Sequence, residues 1–179
     1  MVLRVETTER VSKERTRSPA GRGMYTGGLA LGRRVADASG MQTVLTLRTD
    51  GPGLYEFTDE VRRFVAGSAV SSGLVTLFVQ HTSCSLLVQE NADPDVRRDL
   101  EEFFRRLVPS AADPSMSWLT HTTEGDDDMP AHIKSALTAV SLSVPVMDGR
   151  LALGTWQGLY LFEHREGVHS RRVVVHLGG

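Results

Sequence analysis

The sequence predicts an α+β domain: mixed or antiparallel sheets in a sandwich-like arrangement, with about three helices outside. Three observations carry this expectation. Apolar, β-branched runs of strand length recur along the chain, and the last third holds little else. Amphipathic helical stripes lie around Val61 and over Val96 to Leu107, each bounded by capping and stop residues. The strands gather toward the C-terminus instead of alternating one-to-one with helices, which argues against a doubly wound parallel sheet.

In chain order, Gln42 to Thr49 alternates as a strand should, and Gly51-Pro52-Gly53 turns the chain. Leu54 to Phe57 is a short extended piece. Thr58 and Asp59 offer an N-cap, and Val61, Phe64 and Val65 recur at helical spacing until Gly67 and Ser68 stop the helix. A strand over Leu74 to Gln80 delivers His81 to its end. Asp93 then caps a helix with Pro94 in its first turn. Its apolar stripe of Val96, Leu100, Phe103, Phe104 and Leu107 reads as core, and Pro109 ends it. Trp118 to Thr122 reads as a weak strand carrying His121. A third helix runs from Ala131 to about Val140, with Asp128 or Met129 at its cap and Pro130 in its first turn.

Four strands close the chain. Leu142 to Met147 contains Pro145, the mark of an edge or bulge. Asp148-Gly149 is a hairpin signal leading into Leu151 to Trp156. Leu159 to His164 and Val168 to Leu177 follow. Residues 1–40 differ in kind: they are rich in Arg, Gly, Ser and Thr and have no sustained period. They read as a flexible basic extension, with Met24 and Met41 as alternative starts of translation, and the domain proper spans 41–179.

Charge divides the same way. Residues 1–40 hold eight Lys/Arg against four acids, and residues 41–179 hold 12 against 18. An acidic body is a poor non-specific ligand for nucleic acid, because phosphate neutralisation supplies most of that affinity. No apolar run reaches membrane-span length and no secretory h-region is visible, so a cytoplasmic protein without membrane or specific nucleic-acid partners is expected. The single cysteine excludes an internal disulfide and any multi-cysteine zinc framework.

Chemistry points first to histidine. His81, His121 and His132 fall at the ends of three different elements, a pattern that can form a facial three-nitrogen metal site. Asn91, Asp93, Asp127 and Asp128 are available to orient their second ring nitrogens. The bland alternative is three satisfied polar groups in loops. His164, His169 and His176 alternate with apolar residues and read as structural or exposed. The run Asp126-Asp127-Asp128 is either a solvated face suited to a helix start or a magnesium site for a diphosphate. Cys84 reads as an inert buried thiol; pairing it with His81 would need a bend at Thr82-Ser83. Ser83 and Ser85 lack the nucleophile elbow of a hydrolase. Gly154-Thr155-Trp156-Gln157-Gly158 is either a close-approach substrate loop, oriented by Thr155 and Gln157, or a tight hairpin over a packed Trp156.

Four motifs then match a known family in order: His81-Thr82-Ser83-Cys84-Ser85, Gln89 to Val96, Asp127 to Lys134, and Asp148 to Gln157. Over residues 41–179 the chain resembles the YjbQ family (uncharacterised protein family UPF0047), whose members often carry the label secondary thiamine-phosphate synthase. The resemblance implies a homotrimer with a polar pocket near a subunit boundary. It implies a site at His81, Asn91, His121, Asp127, His132, Thr155, Gln157 and Glu163, with a divalent ion (zinc or magnesium) on His81, His121 and His132. Asp126 stands where the family's acidic loop is expected to carry Pro.

The activity implied joins hydroxymethylpyrimidine diphosphate to a thiazole phosphate and releases pyrophosphate. In that chemistry Lys134 and Arg171 or Arg172 would contact phosphate. Two alternatives stand beside it: a metal-dependent enzyme on another small phosphorylated metabolite, and a non-enzymatic metal or small-anion binding protein.

Overall fold

A computed structural model describes residues 29–31, 35–37 and 40–179. Ten strands and three α-helices occur among the described residues, and every strand pairing is antiparallel. The larger sheet has the order β1-β3-β10-β5-β7-β8, with β2 also paired to β3. Its strands are β1 (Leu29–Leu31), β2 (Val35–Asp37), β3 (Gly40–Thr49), β5 (Gly73–Val79), β7 (Ser141–Met147), β8 (Arg150–Leu151) and β10 (His169–Gly178). The smaller sheet has the order β4-β9-β6, from β4 (Gly53–Glu56), β9 (Gln157–Glu163) and β6 (Cys84–Glu90).

The two sheets stack through an apolar layer. Leu45, Leu77, Val79, Val173 and Val175 from the large sheet meet Cys84, Leu86, Leu159 and Leu161 from the small one. Helix α1 (Thr58–Ala66) seals this layer with Val61, Phe64 and Val65. Period-two alternation is plain in β10, where Arg171, Val173, Val175 and Leu177 are buried and the residues between them are not. In β9 every residue from Gly158 to Glu163 is buried, because the strand is covered on both faces. Its second face carries Tyr160 and Phe162, packed with Leu54 against Leu87, Leu100 and Phe104. Burying one such leucine or phenylalanine is worth roughly 1.5–3 kcal/mol, so this central strand is the costliest place to cut a side chain.

Several sequence expectations change. Two short strands pair with β3 ahead of Met41; the rest of the expected basic extension, including Met24, lies outside the described residues. No strand is expected from the sequence between His81 and the helix start at Asp93, yet Cys84–Glu90 forms β6. Gln80 to Ser83 is therefore a crossover that carries the chain from one sheet to the other, with bends at Thr82 and Ser83. The weak strand at Trp118 to Thr122 is a loop, held by the Ala111 amide on the Asp126 carbonyl (2.8 Å) and by the buried Met116. The expected strand Leu151 to Trp156 shrinks to Arg150–Leu151. Its hairpin turn is as predicted: Asp148 and Gly149 both have positive φ, at 50° and 71°.

Helix α2 (Pro94–Leu107) starts as read, with Asp93 Oδ1 accepting the Asp95 amide at 2.8 Å. Its stripe is not core, however. No residue of α2 is buried, and Phe103 and Leu107 are more than half exposed. Three strands offer it only Leu54, Tyr160 and Phe162, too narrow a surface to cover five apolar side chains. Helix α3 (Asp128–Leu137) begins three residues earlier than expected.

Candidate metal and ligand site

Histidines meet at the N-terminal end of α3. His132 lies one turn beyond Asp128, so both project from the same face. His121 approaches from the loop and places Nε2 2.8 Å from Asp128 Oδ2. His132 Nε2 lies 3.5 Å from the same oxygen. The two imidazoles stand edge to face, with centroids 6.0 Å apart. One donor atom from each of His121, Asp128 and His132 falls within 4.8 Å of the others.

What holds these donors is as informative as the donors themselves. His132 Nδ1–H donates to the Thr82 carbonyl at 3.0 Å, and that bond leaves Nε2 as the free lone pair. The carbonyl is available because the crossover at Thr82-Ser83 leaves it outside both sheets. Asp128, almost fully buried, has its other oxygen Oδ1 paired with Arg165 Nη1. Arg165 also donates from Nε to Asp127 Oδ2 (2.7 Å) and from Nη2 to the Glu124 carbonyl (2.9 Å). Burial pushes the Asp127 carboxyl up, but the Arg165 and Glu166 hydrogen bonds outweigh it and hold it below its ordinary value. Arg165 thus turns Asp128 so that Oδ2 alone faces the histidines.

His81 is close by but outside this trio. Its Nε2 accepts the Arg172 amide at 2.9 Å. Burial, followed by the nearby Arg171, lowers its pKa, so the ring is neutral at pH 7. With Phe78, Gln80, Thr82, His132 and Ser135 it lines a cavity of about 730 Å³. Among the described residues the donor atoms that come together are those of His121, Asp128 and His132, and His81 of the expected trio lies on the wall of the adjoining cavity.

Other predicted site residues lie elsewhere. Asn91 follows β6, roughly 20 Å of strand away from Cys84. There its Nδ2 donates to Glu56 Oε1 (3.3 Å), and its amide donates to the Trp156 carbonyl (2.9 Å). Gln157 Oε1 accepts the Gly154 amide, and Thr155 is exposed beside Trp156, which is itself 63% exposed. Asn91, Thr155 and Gln157 form a separate group at the far end of the small sheet.

Glu163 is not a free catalytic carboxylate. It is fully buried and accepts from Arg171 Nε and Nη2 (both 2.6 Å), Thr49 Oγ1 (2.8 Å) and the amides of His164 and Arg165 (3.0 Å each). Five donors saturate its lone pairs. The same pairing engages Arg171 through Nε and Nη2. Arg172 presents its backbone to His81, and Lys134 faces a different cavity from His132. Cys84 is buried, and burial pushes its thiol up to about 12, opposed by Arg171 and helped to a lesser extent by Glu163.

A YjbQ-like UPF0047 sequence profile matches residues 43–179. The chain belongs to this family. A UPF0047 protein of Synechocystis sp. is 51% identical over 138 residues, covering 77% of this chain and 91% of that one. The UPF0047 protein YjbQ of Escherichia coli O157:H7 is 45% identical over 139 residues, covering 77% and 97%. A crystal structure of an uncharacterised YjbQ/UPF0047 family protein from Clostridium acetobutylicum superposes with a TM-score of 0.67 at 33% identity. It covers 75% of this chain and 98% of that one. The YjbQ-like part of the chain thus starts at β3, and the fold is that of its family.

The sequence offered Asp128 as an orienting group, a helix cap or part of a magnesium-binding acidic run, never as a partner of the histidines on one ion, and did not single out Arg165 or the Thr82 carbonyl. The i, i+4 spacing of Asp128 and His132 was the available signal.

Proposed function

We propose that this YjbQ-like chain is a divalent-metal-dependent enzyme acting on a small phosphorylated metabolite, with the ion on His121, Asp128 and His132. The observation that carries this reading is the convergence of two imidazole Nε2 atoms and one carboxylate oxygen within 4.8 Å, with His132 held in the ligand tautomer by Thr82. Two nitrogens and one carboxylate oxygen suit zinc or a similar borderline cation better than magnesium, which prefers oxygen and water. Zinc at about 2.0–2.1 Å from each donor needs them somewhat closer than they stand, and release of the His121–Asp128 hydrogen bond on binding allows that. Three protein ligands leave open positions for water or a phosphate oxygen.

Formation of thiamine phosphate from the pyrimidine diphosphate and the thiazole phosphate is proposed as a weak activity of this site. With Arg171 engaged by Glu163, the ion itself supplies most of the charge that stabilises departing diphosphate. A homotrimer is proposed with it. The outer face of the large sheet exposes Leu74 and Phe78, and Phe78 also lines the cavity beside His81 and His132. Association through that face would set the site at a subunit boundary.

The test is turnover of the two thiamine precursors by purified protein, with and without chelator, in wild type and His132→Ala. Turnover lost on chelation and in the variant supports the reading. Bound metal with no turnover of any phosphorylated ligand supports a binding protein instead.

A further inference from the structure

Helix α3 separates two cavities. His132, Ser135 and Ala136 face the one beside the histidine trio, while Pro130 and Lys134 face the other, of about 810 Å³. That volume lies within the range of small-molecule sites. The second cavity is walled on one side by α2 and on another by the end of β9, so its surface is part apolar, from Phe104, Phe162 and Val108.

Its polar groups are arranged unusually. Of the six carboxylates that line the cavity, three are answered by guanidinium groups: Asp127 by Arg165, Glu163 by Arg171, and Glu102 by Arg105 and Arg106. Glu101 accepts the Leu54 amide and Asp113 accepts from Ser115, while Glu166 lies on the rim. Among the described residues Lys134 forms no ion pair with any of them. Its side chain is half-buried. Deeper in the wall, His164 stacks on Phe162 at 4.4 Å between centroids and binds Ser85 Oγ through Nε2 at 3.0 Å. Its Nδ1 is buried with no hydrogen-bond partner, although such atoms are nearly always paired.

We propose that this cavity binds a small amphipathic anion, an apolar ring-sized body bearing one phosphate or carboxylate group. The acidic group sits against the Lys134 ammonium and the body lies between Phe104 and Phe162. A neutral imidazole at His164 offers Nδ1 to a polar atom on the ring. The ligand is an anion because an unpaired ammonium beside a guanidinium repels cations and gains from a negative partner. It is apolar in body because Phe104 and Phe162 would otherwise be wetted. This site stands apart from the histidine trio and needs no metal.

Phenyl phosphate, benzoate and neutral benzamide titrated into the full chain, followed by calorimetry and by amide chemical shifts, test the proposal. At least one acid should bind with Kd below about 1 mM, shifting residues of α2, α3 and the end of β9. Benzamide should bind at least ten-fold more weakly. Lys134→Met, which keeps the apolar stem, should weaken the acid at least ten-fold, while Lys134→Arg should stay within a few-fold of wild type. A preference between the two acids assigns the natural head group. Equal binding of benzamide, unchanged affinity in Lys134→Met with an unchanged melting temperature, or loss of binding on chelation or in His132→Ala would overturn the proposal. The last two results would place the anion at the trio, so this failure is distinguishable from failure of the metal reading.

Discussion

Replacing Arg171 with methionine tests the role of the buried ion pair. The substitution keeps the aliphatic stem and removes two charge-assisted hydrogen bonds of 2.6 Å from a fully buried Glu163. An ion pair of this kind adds little net stability against an apolar replacement of both partners, but losing one partner strands a charge. The expected cost is about 3–5 kcal/mol at pH 7, or a fall in Tm of about 10 °C for a domain of this size. In the wild type Glu163 is pushed up by burial and pulled further down by Arg171, the Arg165 amide and Thr49, so its folded pKa lies below the ordinary value. Its contribution is therefore present above the unfolded carboxylate pKa and fades as pH falls through the folded one. In Arg171→Met burial dominates and the folded pKa rises, so the variant's deficit should shrink as pH falls from 7 toward 4.5. The double replacement Arg171→Met with Glu163→Leu should recover part of the loss. Urea unfolding at several pH values decides. A deficit under 1 kcal/mol, or one independent of pH, would refute this account of Glu163 and reopen a catalytic role for it.

Other expectations follow from the same geometry. Cys84 should resist iodoacetamide in the native protein at pH 8 and react only after denaturation, because its thiol is buried and pushed up to about 12. His164, lowered to about 3 by burial and then Lys134, should keep a constant Cε1 proton shift from pH 8 to pH 4.5. As a base depressed on folding, it makes the protein lose stability as pH falls below 6.5, seen as a pH-dependent Tm that His164→Leu flattens. Leu161→Ala in the doubly covered β9 should cost roughly 2–5 kcal/mol in urea unfolding. Phe103→Ala on the exposed side of α2 should change stability by less than about 1 kcal/mol.

The sequence disclosed most of the fold because its signals were local. Asp93-Pro94 capped α2, Asp148-Gly149 turned the hairpin, alternation marked β3 and β10, and an apolar, β-branched run marked β5. It misled where tertiary context decides. Cys84 to Glu90 became a strand because β9 supplied a partner, which no pattern within those seven residues announces. The stripe of α2 looked like core because period alone cannot say how wide a surface lies opposite. The histidine cluster was half legible. His121 and His132 were found, while His81 was placed with them because it also ends an element; only the Arg172 amide, 91 residues distant, shows that its Nε2 is taken. Asp128 was hidden among three consecutive aspartates, and Arg165 selects it by pairing with Asp127 and Asp128 together. Asn91 and Gln157 seemed to belong with the histidines only because the extent of β6 between them was not visible.

Metal stoichiometry on the purified chain bears most directly on the proposed centre. After removal of adventitious metal, zinc titrated into wild type and followed by calorimetry should bind at one equivalent per chain, with proton release from His121. Affinity should fall at least ten-fold in His121→Ala and His132→Ala and stay near wild type in His81→Ala. No zinc bound by the wild type, or equal affinity in the His132→Ala protein, would contradict the assignment of His121, Asp128 and His132 as ligands.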